Sequence, residues 1–114
     1  MPVAAHLLYR PFGAEERLLI RDVHVEYMIA HRAFIRAGGA IVENERVVGM
    51  YLLLDTDDKG AAIGFLEAEP YHRAGLFESV QLLHFNQFIP EPEDGFLCRL
   101  LEESRSFIQA RNKS

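Results

Sequence analysis

The spacing of apolar and polar positions changes several times along the chain, and each change marks an element. Ala4–Arg10 is a short apolar run stopped by Pro11 and Gly13, the pattern of a first strand. From Glu15 onward Leu18, Leu19, Val23, Tyr27, Ile29, Ala30, Ala33, Phe34 and Ala37 recur near helical spacing. Glu15 and Glu16 complement a helix N-terminus, and Gly38 and Gly39 supply a stop, so one long helix is predicted over Ala14–Ala37. Ala40–Glu43 and Val47–Thr56, joined by a polar turn at Asn44–Arg46, predict a hairpin. Asp57 and Asp58 are helix-start residues, because an Asp side chain accepts hydrogen bonds from the free amides of a first turn. They introduce a helix over Lys59–Ala68, with Ala62, Ile63, Phe65 and Leu66 facing inward and Pro70 ending it. Tyr71–Leu76 suits a short helical turn, and Phe77–Ile89 a long fourth strand closed by Pro90 and Pro92. Beyond it, Asp94–Ala110 repeats Phe96, Leu97, Leu100, Leu101, Phe107 and Ile108 at a 3.6-residue period, an amphipathic helix expected to pack on its own sheet or to reach a partner.

The resulting order is βαββαβ followed by a helix. With right-handed crossovers this is the plan of an α+β, ferredoxin-like split βαβ sandwich. Residues 1–90 then form the domain and residues 91–114 a C-terminal helical extension. Two helices cover only one face of such a sheet, yet the third strand, Val47-Val48-Gly49-Met50-Tyr51-Leu52-Leu53-Leu54, is apolar on both. The fourth sets Val80, Leu82 and Phe88 against Leu83 and Phe85. A second copy related by a two-fold axis is the expected cover, which predicts a homodimer.

Composition narrows the functional classes. A chain of 114 residues has room for one core, and 49% hydrophobic with 25% charged residues is ordinary for a folded protein. A formal charge of −5 with scattered basic residues argues against nucleic acid as a partner. No apolar run approaches the roughly 20 residues needed to cross a bilayer, and Met1 opens no charged-then-apolar leader, so no membrane association and a cytoplasmic location are expected. The single Cys98 has no partner for an internal disulfide or a zinc-type pair and reads as an inert small hydrophobe. Gly-rich phosphate loops, a Gly-x-Ser-x-Gly elbow and zinc motifs are missing, so neither a nucleotide cofactor nor a metal is expected.

Two segments resemble a known family. Arg21-Asp22-Val23-His24-Val25-Glu26-Tyr27-Met28 is similar to the Arg-x-x-His-x-x-aromatic-aliphatic run on the first helix of the YCII (YciI-like) family. Glu67-Ala68-Glu69-Pro70-Tyr71-His72-Arg73-Ala74-Gly75-Leu76 resembles its Asp-Pro-aromatic…Gly-Leu segment, and Asn86-Gln87-Phe88 resembles a strand end of some members. The likeness runs from about Ala4 to Ile89. It implies a dimeric α/β barrel, two ferredoxin-like sheets face to face, with an active-site pair formed by a histidine and an aspartate. Here those positions hold His24 and Glu69, a carboxylate longer by one methylene.

An imidazole titrates near neutrality, and a carboxylate on its second nitrogen fixes the tautomer and stabilises the charged form. His24 with Glu69 would supply acid/base catalysis; the plainer alternative is a half-buried helix histidine and a solvated carboxylate. His31 lies two helical turns from His24, so the two would bracket a pocket or, as the disfavoured alternative without a third nearby ligand, a metal. Tyr27 and Tyr71 would be pocket walls carrying hydroxyls, or amphipathic caps on the core. His6 and His84, on neighbouring strands, would either face each other or, as the favoured reading, be polar residues on a sheet partly covered by the partner. The function expected is a cofactor-free acid/base enzyme acting on a small aromatic or lactone-like molecule; the alternative is a dimer that binds a small ligand without turnover.

Overall fold

The structure, a computed structural model, describes residues 1–113. Strands β1 (Val3–Tyr9), β2 (Ile35–Glu43), β3 (Arg46–Leu54) and β4 (Phe77–His84) form one antiparallel sheet in the order β2-β3-β1-β4. Helices α1 (Gly13–Glu16) and α2 (Arg21–Ala30) connect β1 to β2, while α3 (Lys59–Ala68) and α4 (Pro70–Arg73) connect β3 to β4. Helix α5 (Phe96–Asn112) follows. This is the ferredoxin-like α+β sandwich anticipated from the order of elements, of the kind that builds dimeric α/β barrels.

Strand register explains the core. Val3, Ala5 and Leu7 of β1 oppose Leu54, Leu52 and Met50 of β3, and all six are buried on the helix-covered face. Ala62, Phe65 and Leu66 of α3 close over them, with Tyr27 and Met28 of α2, Phe34 and Ile35 at the edge. Ile63, expected among the inward residues of α3, is 45% exposed, because it falls between the i, i+3, i+4 positions that reach the sheet. Asp58 caps α3 by accepting from Gly60 N at 2.8 Å, as the Asp57-Asp58 signal indicated. At the hairpin tip Asn44 and Glu45 both take positive φ, matching the two-residue turn whose twist suits the flanking strands.

Three expectations are corrected. The long helix over Ala14–Ala37 is broken into α1, a 3₁₀ turn at Arg17–Leu19, α2 and a second 3₁₀ turn at Arg32–Phe34. Ile35–Ala37 and the two glycines belong instead to β2, which pairs with β3 from Ile35↔Leu54 to Glu43↔Arg46. Ladder bonding to β3 outweighs the end of the helical periodicity, where Ala30, Ala33 and Ala37 stand at most of the apolar positions. Gly38 is a close-packing residue and not a helix stop: a Cβ there would stand 2.8 Å from Leu52 Cδ2. The fourth strand ends at His84 and not at Ile89, because its neighbour β1 runs out at Val3, the partner of His84. Phe85 N still donates to Pro2 O at 2.9 Å, after which the ladder has no further partner.

His6 and His84 do not face each other. His6 pairs with Gln81 on the face away from the helices, whereas His84 pairs with Val3, of the other face, and donates from Nε2 to the Asp57 carbonyl at 2.8 Å. That outer face carries Leu8, Tyr51, Leu53 and Leu83 together with the polar His6, Ser79 and Gln81, so it is less uniformly apolar than the strand pattern suggested. No residue of α5 is buried: Phe107 and Ile108 are more than half exposed, and Cys98 on the same helix is exposed too. Among the described residues, α5 therefore does not bury its apolar stripe on its own sheet, and no helix is long and apolar enough to cross a membrane.

Candidate functional site

The α3–α4 junction is where the chain brings a carboxylate under the sheet. Pro70 prevents α3 from continuing and pre-sets the first turn of α4, leaving Glu69 between the two helices in an extended conformation. Glu69 is the N-cap of α4, its Oε2 accepting from His72 N at 3.1 Å. Its other oxygen, Oε1, accepts from Nδ1–H of His24. The carboxylate is completely buried, and the imidazole is 12% exposed. Gly75, at φ +70, then ends α4 in the left-handed conformation and turns the chain into β4.

His24 is held on a second side as well. Its ring stacks on Tyr71 with centroids 3.8 Å apart and planes 7° from parallel. Tyr71 is itself buried and meets Tyr9 edge-on at 6.2 Å. Nε2 of His24 has no partner within the chain, and among the described residues no buried side-chain nitrogen or oxygen lacks one. Nε2 is therefore accessible, and His24 lines the cavity beside it. The Glu69 bond leaves Nε2 as the unprotonated nitrogen of the neutral imidazole, an available base.

The cavity has a volume of about 410 Å³ and lies between α2 and the strands β2 and β3. Its floor is small and apolar, formed by Gly38, Gly39 and Ala40 of β2 with Met50 and Leu52 of β3. Tyr9 and Tyr71 stand at the His24 end, where the Tyr71 hydroxyl makes no hydrogen bond within the chain and is open to a ligand. Burial is the main cause that pushes the Tyr9 phenol up to about 12, helped by the Tyr71 phenol and by Glu69 and opposed by Arg17. Burial raises Tyr71 too, with Arg17 and Arg21 pulling it back and Glu69 adding to the rise. These phenols stay neutral at physiological pH and can act as hydrogen-bond donors.

His24, Glu69 and Tyr71 are thus brought together, whereas the other two candidates stand apart. Tyr27 lies outside the cavity lining, and its hydroxyl donates to the Phe65 carbonyl at 2.6 Å, tying α2 to α3. His31, at the C-terminal end of α2, donates from Nδ1 to the Tyr27 carbonyl at 2.8 Å, its ring centroid 4.1 Å from that of Tyr27. It is exposed and does not line the cavity. The seven-residue spacing failed because α2 ends at Ala30, so His31 no longer continues the face of His24. Sequence reasoning missed Tyr9, Arg17 and Arg21. Arg21 is one helical turn before His24 and was legible as its neighbour, while Tyr9 is joined to the site only by the packing of β1 against α4.

Among solved structures the chain is similar to the 5-chloro-2-hydroxyhydroquinone dehydrochlorinase TftG of Burkholderia phenoliruptrix AC1100, in complex with 2,5-dihydroxybenzoquinone. The TM-score is 0.71 at 20% sequence identity, over 80% of this chain and 99% of that one. The likeness is one of fold. No protein-family model matches the chain, and no curated protein matches it in sequence.

Proposed function

We propose that this protein is an acid/base enzyme that moves a proton on a small, flat organic molecule without a cofactor, with His24 as the proton-transfer group and Glu69 as its positioning partner. The reading rests above all on one observation: an imidazole tied through Nδ1 to a fully buried carboxylate, with Nε2 free beside a cavity. In the forward step Nε2 takes a proton from an acidic C–H of the substrate. The C–H electron pair moves onto a conjugated oxygen as an enolate, and the imidazolium, stabilised by Glu69, returns the proton to the same or another carbon. Elimination is the other outcome of the same intermediate, if a β-substituent departs with the electron pair. TftG, a dehydrochlorinase by name and bound to a dihydroxybenzoquinone, lends support because loss of HCl from a hydroxylated ring calls for such a base. Tyr71, stacked on the imidazole, would orient the ligand through its hydroxyl.

The working unit in this reading is a homodimer. Support comes from Leu8, Tyr51 and Leu83 on the outer sheet face and from the uncovered stripe of α5, which a second copy would bury.

Solvent exchange tests the chemistry. Unsaturated lactones and hydroxylated cyclic enones in D₂O, followed by proton NMR, should lose their acidic C–H signals faster with wild type. With His24→Ala the rate should return to background. Ligand binding with no exchange in either protein would overturn the enzyme reading and leave a small-molecule binding protein.

A further inference from the structure

The protein carries a net charge of −5, yet its cavity is lined by Arg17, Arg21 and Arg32 and by no aspartate or glutamate. Three other arginines of the chain are paired with carboxylates, while among the described residues Arg46, Arg73 and Arg105, like the three of the cavity, are not. Arg10 pairs with Glu16 at 2.6 Å, Arg36 with Asp55 at 2.8 Å, and Arg99 with Glu93. Among the described residues Arg21 and Arg32 have no carboxylate partner and no hydrogen bond to the chain, and Arg17, also without a carboxylate partner, donates to the Ala14 carbonyl at 3.1 Å and interacts with the Tyr9 hydroxyl. The buried carboxylate behind the cavity, Glu69, has both oxygens committed, to His24 and to the His72 amide. Neither oxygen is hydrogen-bonded to an arginine, although its charge reaches the Tyr9 and Tyr71 phenols.

The cations are also unevenly placed. Arg21 opens α2 and Arg32 lies just past its end at Ala30, so at about 1.5 Å per residue the length of the helix, roughly 14 Å, separates them. Arg17 sits with Arg21 at the His24 end: its guanidinium lies over the Tyr9 ring, 6.0 Å from the centroid, and both arginines act electrostatically on the Tyr71 phenol. Tyr71 is the residue stacked on His24. One end of the cavity therefore combines two guanidinium groups without a carboxylate contact, a free phenol hydroxyl and the accessible imidazole nitrogen, above an apolar floor.

We infer that the ligand of this cavity is a small planar anion, a ring or unsaturated acid whose carboxylate or phenolate oxygen is held by Arg17 and Arg21 beside His24. Its apolar body lies against Met50, Leu52 and the glycines of β2. Guanidinium groups bind such oxygens through charge-assisted, often bidentate, hydrogen bonds. Placed next to the base, the same charges would also stabilise an enolate formed there. This inference names the substrate class of the proposed acid/base site and rests on that reading for its catalytic meaning, but not for binding.

Three isosteric probes separate charge from shape: benzoate, benzamide and benzamidine, titrated into the ¹⁵N-labelled full chain. Benzoate should shift the amides around Arg21, His24 and Tyr71 and bind at least about tenfold more tightly than benzamide, with benzamidine excluded. Arg21→Gln should weaken benzoate about tenfold, and Arg32→Gln, at the far end, by much less. Both residues are exposed, and an unchanged wild-type-like spectrum in the free state verifies folding. Equal binding of benzoate and benzamide, or benzoate binding unaffected by Arg21→Gln, would overturn the inference. His24→Gln distinguishes the two readings: retained benzoate binding without proton exchange in any variant would leave the anion site standing and remove the enzyme.

Discussion

Replacing Glu69 should reveal how much of the domain's stability is invested in its site. Glu69→Ala removes two acceptors at once, the cap of α4 and the partner of His24. Loss of an N-cap costs about 1 kcal/mol, and stranding a largely buried Nδ1–H costs about 1–3 kcal/mol more. The sum, roughly 2–4 kcal/mol, is a large part of the ~5–15 kcal/mol that holds a domain folded. At about 4 °C per kcal/mol for a chain near this size, the unfolding midpoint should fall by roughly 8–16 °C. Glu69→Gln keeps the volume and one acceptor, so it should fall between alanine and wild type. Urea denaturation and calorimetry measure both, while the ¹⁵N shifts of His24 report whether Nδ1 still carries the proton. A double-mutant cycle isolates the bond: in a His24→Ala background, Glu69→Ala should cost only the cap, about 1 kcal/mol. A Glu69→Ala loss below about 0.5 kcal/mol, or an equal loss in both backgrounds, would refute the argument that the carboxylate holds the imidazole.

Two further expectations concern alkaline stability and assembly. Because the folded Tyr9 pKa is raised, its contribution is fully present below the unfolded value near 10 and is lost as pH rises through about 12. Urea midpoints across that window should therefore fall less steeply for Tyr9→Phe than for wild type; parallel curves would contradict the assignment. Leu83, 54% exposed on the outer sheet face, tests the dimer: light scattering should give a dimer for wild type and a folded monomer for Leu83→Glu, and a wild-type monomer at micromolar concentration would remove the proposed assembly.

Much of the framework was legible in the residues themselves. Strand and helix order, the Asp58 cap, the Pro70 break and the inward Ala62, Phe65 and Leu66 follow from local chemistry, since capping, proline geometry and periodicity act over a few residues. The pairing of His24 with Glu69, 45 residues apart, came from likeness to a family pattern and not from spacing. Nothing local foretold that one Glu69 oxygen would cap α4 while the other held the imidazole.

What tertiary structure alone decided were the features that depend on a neighbour distant in sequence. Ile35–Ala37 became strand because β3 offered a ladder, and β4 stopped at His84 because β1 did. Tyr27 and His31 share a helical region with His24, yet the end of α2 and the Phe65 carbonyl drew them away from the cavity. Arg17 and Arg21 acquired meaning only once Tyr9 and Tyr71 were packed beside them, since the role of a charge is set by what surrounds it in space. The amino-acid sequence by itself determined the elements and the chemistry available to them; the packing of α2 and α4 over the sheet determined which of those groups meet.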